Sequence, residues 1–108
     1  MSIYNKFDSA FSDASVYAVM KDGEIVGRIC FKIRKSGTVT AFVHEWGFEM
    51  ISGLAGGYGY DKKRAALCDA VSKVDDSSPL YQSLKGVTCD GQWKELLRGN
   101  GYSVQCII

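Results

Sequence analysis

Apolar and polar residues alternate through most of the first half of the chain, and two turn dipeptides interrupt the alternation. Asp22-Gly23 and Ser36-Gly37 separate runs that cover residues 16–21, 24–35 and 38–46. Side chains along a β-strand point to the two faces of a sheet in turn, so this alternation predicts strands that are buried on one side. An Asp-Gly pair between two such runs is a hairpin signal. The pattern therefore predicts a three-stranded antiparallel meander.

The second and third strands of this meander predict one apolar face and one mixed face. The apolar face is expected to form the core and carries Ile25, Gly27, Ile29, Phe31, Ile33, Val39, Ala41 and Val43. The basic and aromatic face lies opposite and carries Arg28, Lys32, Arg34, Phe42, His44 and Trp46, beside Val26, Cys30, Thr38 and Thr40. Arginine and aromatic residues are enriched in protein interfaces. We therefore expect this face to be at least partly exposed, or covered only by a partner or a second copy of the chain.

Three other segments show the three- and four-residue spacing of apolar positions that is typical of amphipathic helices. The first dozen residues predict a short helix with Ile3, Phe7, Ala10 and Phe11 on one side. Residues 61–74 predict a longer helix, capped by Asp61, with an apolar stripe of Ala66, Leu67, Ala70, Val71 and Val74. After a less regular stretch, a third helix is expected over residues 92–98, around Trp93, Leu96 and Leu97.

The last segment, residues 102–108, alternates again and is strongly apolar. We expect it to join the sheet as a strand and to be partly buried. The predicted fold is an α+β domain of element order α-β-β-β-α-α-β, in which an antiparallel sheet, the meander plus the C-terminal strand, carries helices on one face. The length suits a single domain, residues 1–108.

Composition narrows the possible functions. The formal net charge is only +1, so the protein lacks the overall positive field that drives tight nonspecific binding to nucleic acid. The four cysteines are far apart and His44 is the one histidine, so we expect no metal and no other cofactor, and we expect the cysteines to be reduced core residues. No run is long and apolar enough to cross a membrane, and the N-terminus does not resemble a signal peptide. These features predict a cytoplasmic protein that does not contact membranes.

A glycine-rich junction, residues 56–60, leads directly into the basic start of the helix predicted over residues 61–74. Lys62, Lys63 and Arg64 occupy the first turn of that helix, where the helix dipole disfavours cations by about 0.3–1 kcal/mol each. An anion can compensate for this, and it can be a phosphate backbone, an acidic protein surface or acidic groups of the chain itself. We expect these three cations to form the edge of a binding surface.

The junction itself has two interpretations. It can be an anion-binding turn, because successive small residues let backbone N–H groups converge at a helix N-terminus. It can equally be a connector that needs positive φ angles. Tyr58 and Tyr60 lie within it, and aromatic residues next to cations anchor protein partners or stack on nucleobases. We expect one of these tyrosines to fold back onto the core.

Residues 3–74 resemble a double-stranded-RNA-binding domain. The resemblance consists of a helix, three antiparallel strands, a glycine-containing loop, and a helix that opens with Lys62-Lys63-Arg64-Ala65-Ala66. It implies that the basic helix start grips phosphates across a groove. The chain departs from the family between its first two strands, where a groove-reading histidine is expected and only Lys21-Asp22-Gly23-Glu24 is present. Residues 93–108 have no counterpart in the family.

The segment Gly59-Tyr60-Asp61-Lys62, followed by an alanine-rich helix, is similar to segments in small accessory proteins of bacteriophages and other mobile elements. That population includes anti-CRISPR and other anti-defence inhibitors, which are compact single-domain proteins that occlude a site on a host complex. The resemblance implies an inhibitor that acts by binding and has no enzymatic activity.

Three functions follow from these observations. The leading expectation is a non-enzymatic interaction protein, an anti-CRISPR-like inhibitor that binds a host protein or ribonucleoprotein complex as a monomer or homodimer. The alternative is a nucleic-acid-binding module that uses the basic helix start and the basic strand residues Arg28, Lys32 and Arg34. The third is an enzyme with His44 as general base, but no group in the sequence is tied to His44 by a catalytic motif. We therefore expect no enzymatic activity.

Overall fold

The computed structural model describes residues 11–34, 37–56, 62–73, 78–85 and 93–107, with side chains from residue 15 onward. Within these residues the strands are β1 (Phe11–Lys21), β2 (Glu24–Arg34), β3 (Val39–Glu45), β4 (Ile51–Ala55) and β5 (Ser103–Cys106), and the helices are α1 (Lys62–Ser72), α2 (Pro79–Leu84) and α3 (Trp93–Gly99). The strands form one antiparallel sheet in the order β4-β3-β2-β1-β5. The fold is therefore of the α+β class, as predicted.

The predicted meander is present as β1, β2 and β3. Asp22 and Gly23 join the first two strands, and both have positive φ angles, 54° and 81°. Two successive left-handed residues make a tight turn whose twist matches that of the flanking strands, and Asp followed by Gly adopts this backbone readily. The hairpin predicted from the Asp-Gly pair is confirmed.

Helix α1 packs on the core face of the sheet, over β3 and β4. It approaches β4 closely at Gly53, where an added Cβ would lie 2.7 Å from Cα of Ala70 and closer still to the backbone nitrogen of Ala70 and the backbone oxygen of Ala66. A glycine at this position is what lets the two backbones come so near. The helix buries Ala66, Leu67, Ala70 and Val71, which confirms these four positions of the predicted stripe.

Asp69 of α1 and Lys73, which directly follows the helix, bond to the edge of β4 that faces away from β3. The backbone N–H of Leu54 donates a hydrogen bond of 3.0 Å to the Asp69 carboxylate. Nζ of Lys73 donates a hydrogen bond of 3.2 Å to the backbone carbonyl of Ser52, and it also forms an ion pair with Asp69 at 3.0 Å. Two backbone groups that an added strand would need are therefore already bonded.

Helices α2 and α3 extend the layer on the core face. Ser78 caps α2 by accepting a 3.3 Å hydrogen bond from the backbone N–H of Tyr81, and a proline at the first helical position suits a helix start. In α3, Trp93 is buried with its ring centroid 5.1 Å from that of Tyr17 and 5.8 Å from that of Phe31. This aromatic cluster attaches α3 to β1 and β2.

Several predicted boundaries need correction. Phe11 was expected in a helix over the first dozen residues, but it begins β1. Residues 1–10 lie outside the described part of the chain, and so do Asp61, the predicted helix cap, and Val74, the last residue of the predicted apolar stripe. Strand β4 and helix α2 were not predicted. The helix expected over residues 92–98 is present as α3.

The C-terminal strand joins the sheet beside β1, as predicted, but it is more exposed than expected. Apart from the half-buried Val104, all residues of β5 are exposed, because β5 is an outer strand of the sheet. Cys106 lies on this strand, so the expectation of a core cysteine is wrong for it. Cys30 is buried, Cys68 is half-buried, and neither they nor Cys106 are in a disulfide; Cys89 lies outside the described residues.

Candidate functional site

Four large apolar side chains are exposed at the end of the sheet where β3 finishes and the β1–β2 turn lies. They are Ile25, Trp46, Phe48 and Met50, which are 40%, 45%, 39% and 41% exposed, and we call them the apolar end. Ile25 belongs to β2, and the other three lie in the connection between β3 and β4. Their shared position at one end of the sheet distinguishes them from exposed apolar residues scattered singly over a protein surface.

Backbone hydrogen bonds hold the connection between β3 and β4 against the sheet. The N–H of Trp46 donates to the carbonyl of Val26 at 3.0 Å, which extends the pairing of β2 and β3 by one residue. The N–H of Phe48 donates to the carbonyl of Glu45, also at 3.0 Å, and closes a turn. The first half of this connection is therefore an ordered extension of the hairpin.

Ile25 is exposed because the ladder between β1 and β2 shifts register near the turn. Val19 pairs with Gly27. The next pair is Met20 with Ile25, so β2 carries one extra residue, Val26, between the two pairs. Such a bulge reverses the alternation of side chains beyond it: Val26 packs against the core and Ile25 faces solvent. The prediction that Ile25 belongs to the core face is therefore wrong.

Trp46 contacts two side chains of the basic and aromatic face. The guanidinium carbon of Arg28 lies 5.2 Å from the centroid of the Trp46 ring. The ring of His44 meets that of Trp46 edge-on, with centroids 4.5 Å apart. Arg28 and His44 are directly opposite each other on β2 and β3. The indole is thus exposed, but a cation–π contact with Arg28 and an edge-on contact with His44 restrict its orientation.

Two residues of the core support the apolar end from beneath. The carboxylate of Glu45 accepts hydrogen bonds from the backbone N–H groups of Leu80 and Tyr81 at the start of α2. The hydroxyl of Tyr81 donates to the backbone carbonyl of Glu49, and its ring packs near Phe48, with centroids 6.4 Å apart. Helix α2 therefore contacts both the beginning and the end of the connection between β3 and β4.

Burial changes the ionisation of both supporting residues. It raises the pKa of the Glu45 carboxyl above its ordinary value, although the two amide hydrogen bonds act in the opposite direction. It also raises the pKa of the Tyr81 hydroxyl. Among the described residues, Oε2 of Glu45 has no hydrogen-bond partner. A charged Glu45 is therefore costly beneath this surface.

The structure brings together part of the site predicted on the sheet. Arg28, His44 and Trp46 are adjacent, and Arg28 and His44 are half-buried. Lys32, expected to face outward, is only 3% exposed; the expectation of exposure is wrong for this residue, and its role in binding stays a prediction. Phe42 and Arg34, the other two residues predicted on this face, lie apart from the apolar end. Phe42 is half-buried, and Arg34 is exposed at the far end of β2.

The basic start of α1 lies at the other end of β3. Nζ of Lys62 donates a hydrogen bond of 3.2 Å to the backbone carbonyl of Gly37 in the β2–β3 connection. Nζ of Lys63 donates one of 3.1 Å to the Ser15 hydroxyl. Lys62, Lys63 and Arg64 are all half-buried. The two lysines thus contact the protein itself, and their role in partner binding stays a prediction, as does that of Tyr58 and Tyr60, which lie outside the described residues.

Sequence reasoning missed Ile25, Phe48 and Met50 as surface residues. A signal for two of them was present, because Trp46-Gly47-Phe48-Glu49-Met50 places a large apolar residue at every second position around a glycine. Alternation of this kind also marks a buried strand. The absence of a covering element is visible only in the fold.

Two kinds of feature are not found in the described part of the chain. No group of three or more His, Cys, Asp or Glu residues there is arranged to hold a metal ion. None of the helices in those residues combines the length and apolar character needed to cross a membrane. Compared with known proteins, the chain matches no protein-family model, no curated protein and no solved structure.

Proposed function

We propose that this protein is a non-enzymatic interaction protein that binds a partner protein through its apolar end. The observation that carries the proposal is the concentration of Ile25, Trp46, Phe48 and Met50 at one end of the sheet. These are four of the six large apolar side chains that are exposed in the described residues. Covering them with a partner removes apolar area from water at a gain of about 25 cal/mol per Å².

The residue types at this end support the same conclusion. Tryptophan and arginine are over-represented among the residues that dominate binding energy at protein interfaces, and methionine and phenylalanine are enriched there as well. Because Arg28 and His44 already restrict the Trp46 ring, the side chain loses less conformational freedom when a partner arrives. This preorganisation favours affinity.

The biological setting rests on the resemblance of residues 59–62 to segments of small phage and mobile-element proteins. In that setting the partner is a host defence complex, either a protein or a ribonucleoprotein, and the protein acts in the cytoplasm as an anti-CRISPR-like inhibitor. Inhibition follows from occupying a surface that the complex needs.

The test is a comparison of two variants in affinity purification from the source host, followed by titration of the purified partner. The first variant changes Trp46, Phe48 and Met50 together to Ser. The matched control is Leu54→Ser, because Leu54 is more exposed, at 57%, but lies on β4, apart from the apolar end. We expect the triple variant to lose the partner and the control to retain it. Equal binding by both variants contradicts the proposal.

Duplex RNA is the competing ligand, and a titration against labelled duplex RNA and DNA at low and physiological salt tests it. Binding that neutralises several phosphates weakens steeply as salt rises. We expect only weak binding at physiological salt, because the net charge is near zero. Submicromolar binding that persists there would favour the nucleic-acid-binding alternative.

A further inference from the structure

We infer that the partner presents an acidic side chain next to an apolar one, and that Arg28 is the residue that binds the carboxylate. This inference rests on the proposed function, because it concerns the same apolar end. It adds the chemistry of the partner, which the exposed apolar residues alone do not define.

The surroundings of Arg28 carry the inference. Arg28 is half-buried and its guanidinium carbon lies 5.2 Å from the centroid of the exposed Trp46 ring. In the described chain Arg28 forms no ion pair. A guanidinium stacked on an aromatic ring still directs its N–H groups outward in the plane of the fork, where a carboxylate can accept two parallel hydrogen bonds. A partner whose apolar side chain covers Trp46 would bring a neighbouring carboxylate within reach of this fork.

The other charges at this end favour a single carboxylate over a polyanion. Asp22, Glu24 and Glu49 are exposed around the same end of the sheet, and their negative charge repels an extended phosphate backbone. A single carboxylate bound directly to Arg28 is affected less, because the nearest charge dominates at contact distance. The aliphatic side chains of Ile25 and Met50 also suit a protein surface better than stacked bases.

The experiment selects binding peptides from a displayed library of random peptides against the wild-type protein and two arginine variants. Arg28→Gln removes the charge and keeps a polar side chain. Arg34→Gln is the matched control, since it makes the same change on the same strand at the far end of the sheet. The triple Ser variant of the apolar end, defined above, reports separately on the proposed function. Circular dichroism confirms that each variant is folded.

We expect peptides selected on the wild type and on Arg34→Gln to combine an aromatic or aliphatic residue with a nearby Asp or Glu. Selection on Arg28→Gln should keep the apolar residue and lose the acidic one. For a selected peptide, changing its Asp to Asn should weaken binding to the wild type about tenfold or more and leave binding to Arg28→Gln unchanged. Arg28→Lys should retain only part of the preference, since it keeps the charge and loses the fork.

Three results would overturn the inference. If acidic residues are not enriched in peptides selected on the wild type, or are enriched equally on Arg28→Gln, then Arg28 does not bind a carboxylate. In that case the proposed function still stands as long as the selection of apolar residues depends on the apolar end. If peptides selected on the wild type bind the triple Ser variant equally well, the proposed function fails and this inference fails with it. Duplex RNA binding at physiological salt that Arg28→Gln abolishes would likewise replace the carboxylate with a phosphate.

Discussion

Replacing Gly53 with alanine places a methyl group where the backbone of α1 passes over β4. The new Cβ would lie 2.7 Å from Cα of Ala70, whereas ordinary van der Waals contacts begin at 3.4 Å, so the helix must move away by at least 0.7 Å. A gap of 0.5–1 Å forfeits about a quarter to a half of the dispersion attraction across it. Burial of side chains the size of Leu67 and Val71 is worth about 1.5–3 kcal/mol each. The expected loss of stability is therefore about 2 kcal/mol, within the usual range of about 1–3 kcal/mol for overpacking.

The free energy of unfolding is measured by urea titration followed by circular dichroism, with a thermal scan alongside. A loss of about 2 kcal/mol corresponds to a drop of roughly 8–16 °C in Tm for a domain of this size. The control is Gly99→Ala at the end of α3, where an added Cβ meets nothing within 4 Å; it should leave stability unchanged or raise it by up to about 1 kcal/mol. A Gly53→Ala protein within about 0.5 kcal/mol of wild type would refute the close approach of α1 to β4.

Three further predictions concern charged groups. Burial raises the folded-state pKa of Glu45 above the ordinary value of 4.5. The free energy of unfolding of the wild type should therefore fall relative to that of Glu45→Gln as pH rises from 4.5 toward neutrality. Urea titrations that give the same difference between the two proteins at pH 4 and at pH 7 would contradict this. The pKa of Asp69 is lowered from 3.8, chiefly by the hydrogen bond from the N–H of Leu54. The wild type should therefore be more stable than Asp69→Asn at pH 7, and this advantage should disappear below the lowered pKa. Acid titration of the stability of both proteins measures it. Changing Lys62, Lys63 and Arg64 together to Glu removes two hydrogen bonds of about 1 kcal/mol each, but it also relieves about 0.3–1 kcal/mol of dipole repulsion per cation at the helix start. The two effects nearly cancel, so we expect little change in Tm. A change in Tm of more than about 10 °C would show that one of the two effects is misjudged.

The parts of the fold that were predictable are those with long, regular patterns. The meander and α1 each repeat a single period over about ten residues or more, so the buried face is visible in the sequence. Strand β4 is only five residues long and contains Gly53, and glycine is depleted in strands. Helix α2 has six residues, too few to show a helical period, although Ser78 followed by Pro79 marks its start.

The candidate site was predictable only in part, for a related reason. Alternation along β2 and β3 placed Arg28, His44 and Trp46 on one face. That alternation assumed an uninterrupted ladder, and the bulge beside Val26 reversed it for Ile25. An isolated glycine in a strand can mark a bulge, and Gly27 lies directly beside this one. The glycine alone does not show that the register shifts or which residue is inserted.

The covered edge of β4 limits how far copies of this protein can aggregate through their sheets. Endless edge-to-edge growth, as in a fibre, needs an accepting strand on both sides of every copy. Asp69 and Lys73 already bond the outward N–H of Leu54 and the carbonyl of Ser52 on β4, so in the described sheet β5 is the remaining outer strand. Two copies that paired through β5 would consume that strand in both. In the described sheet, pairing through β5 therefore ends at a pair, and pairing through β4 would first have to displace Asp69 and Lys73 from its outward backbone groups.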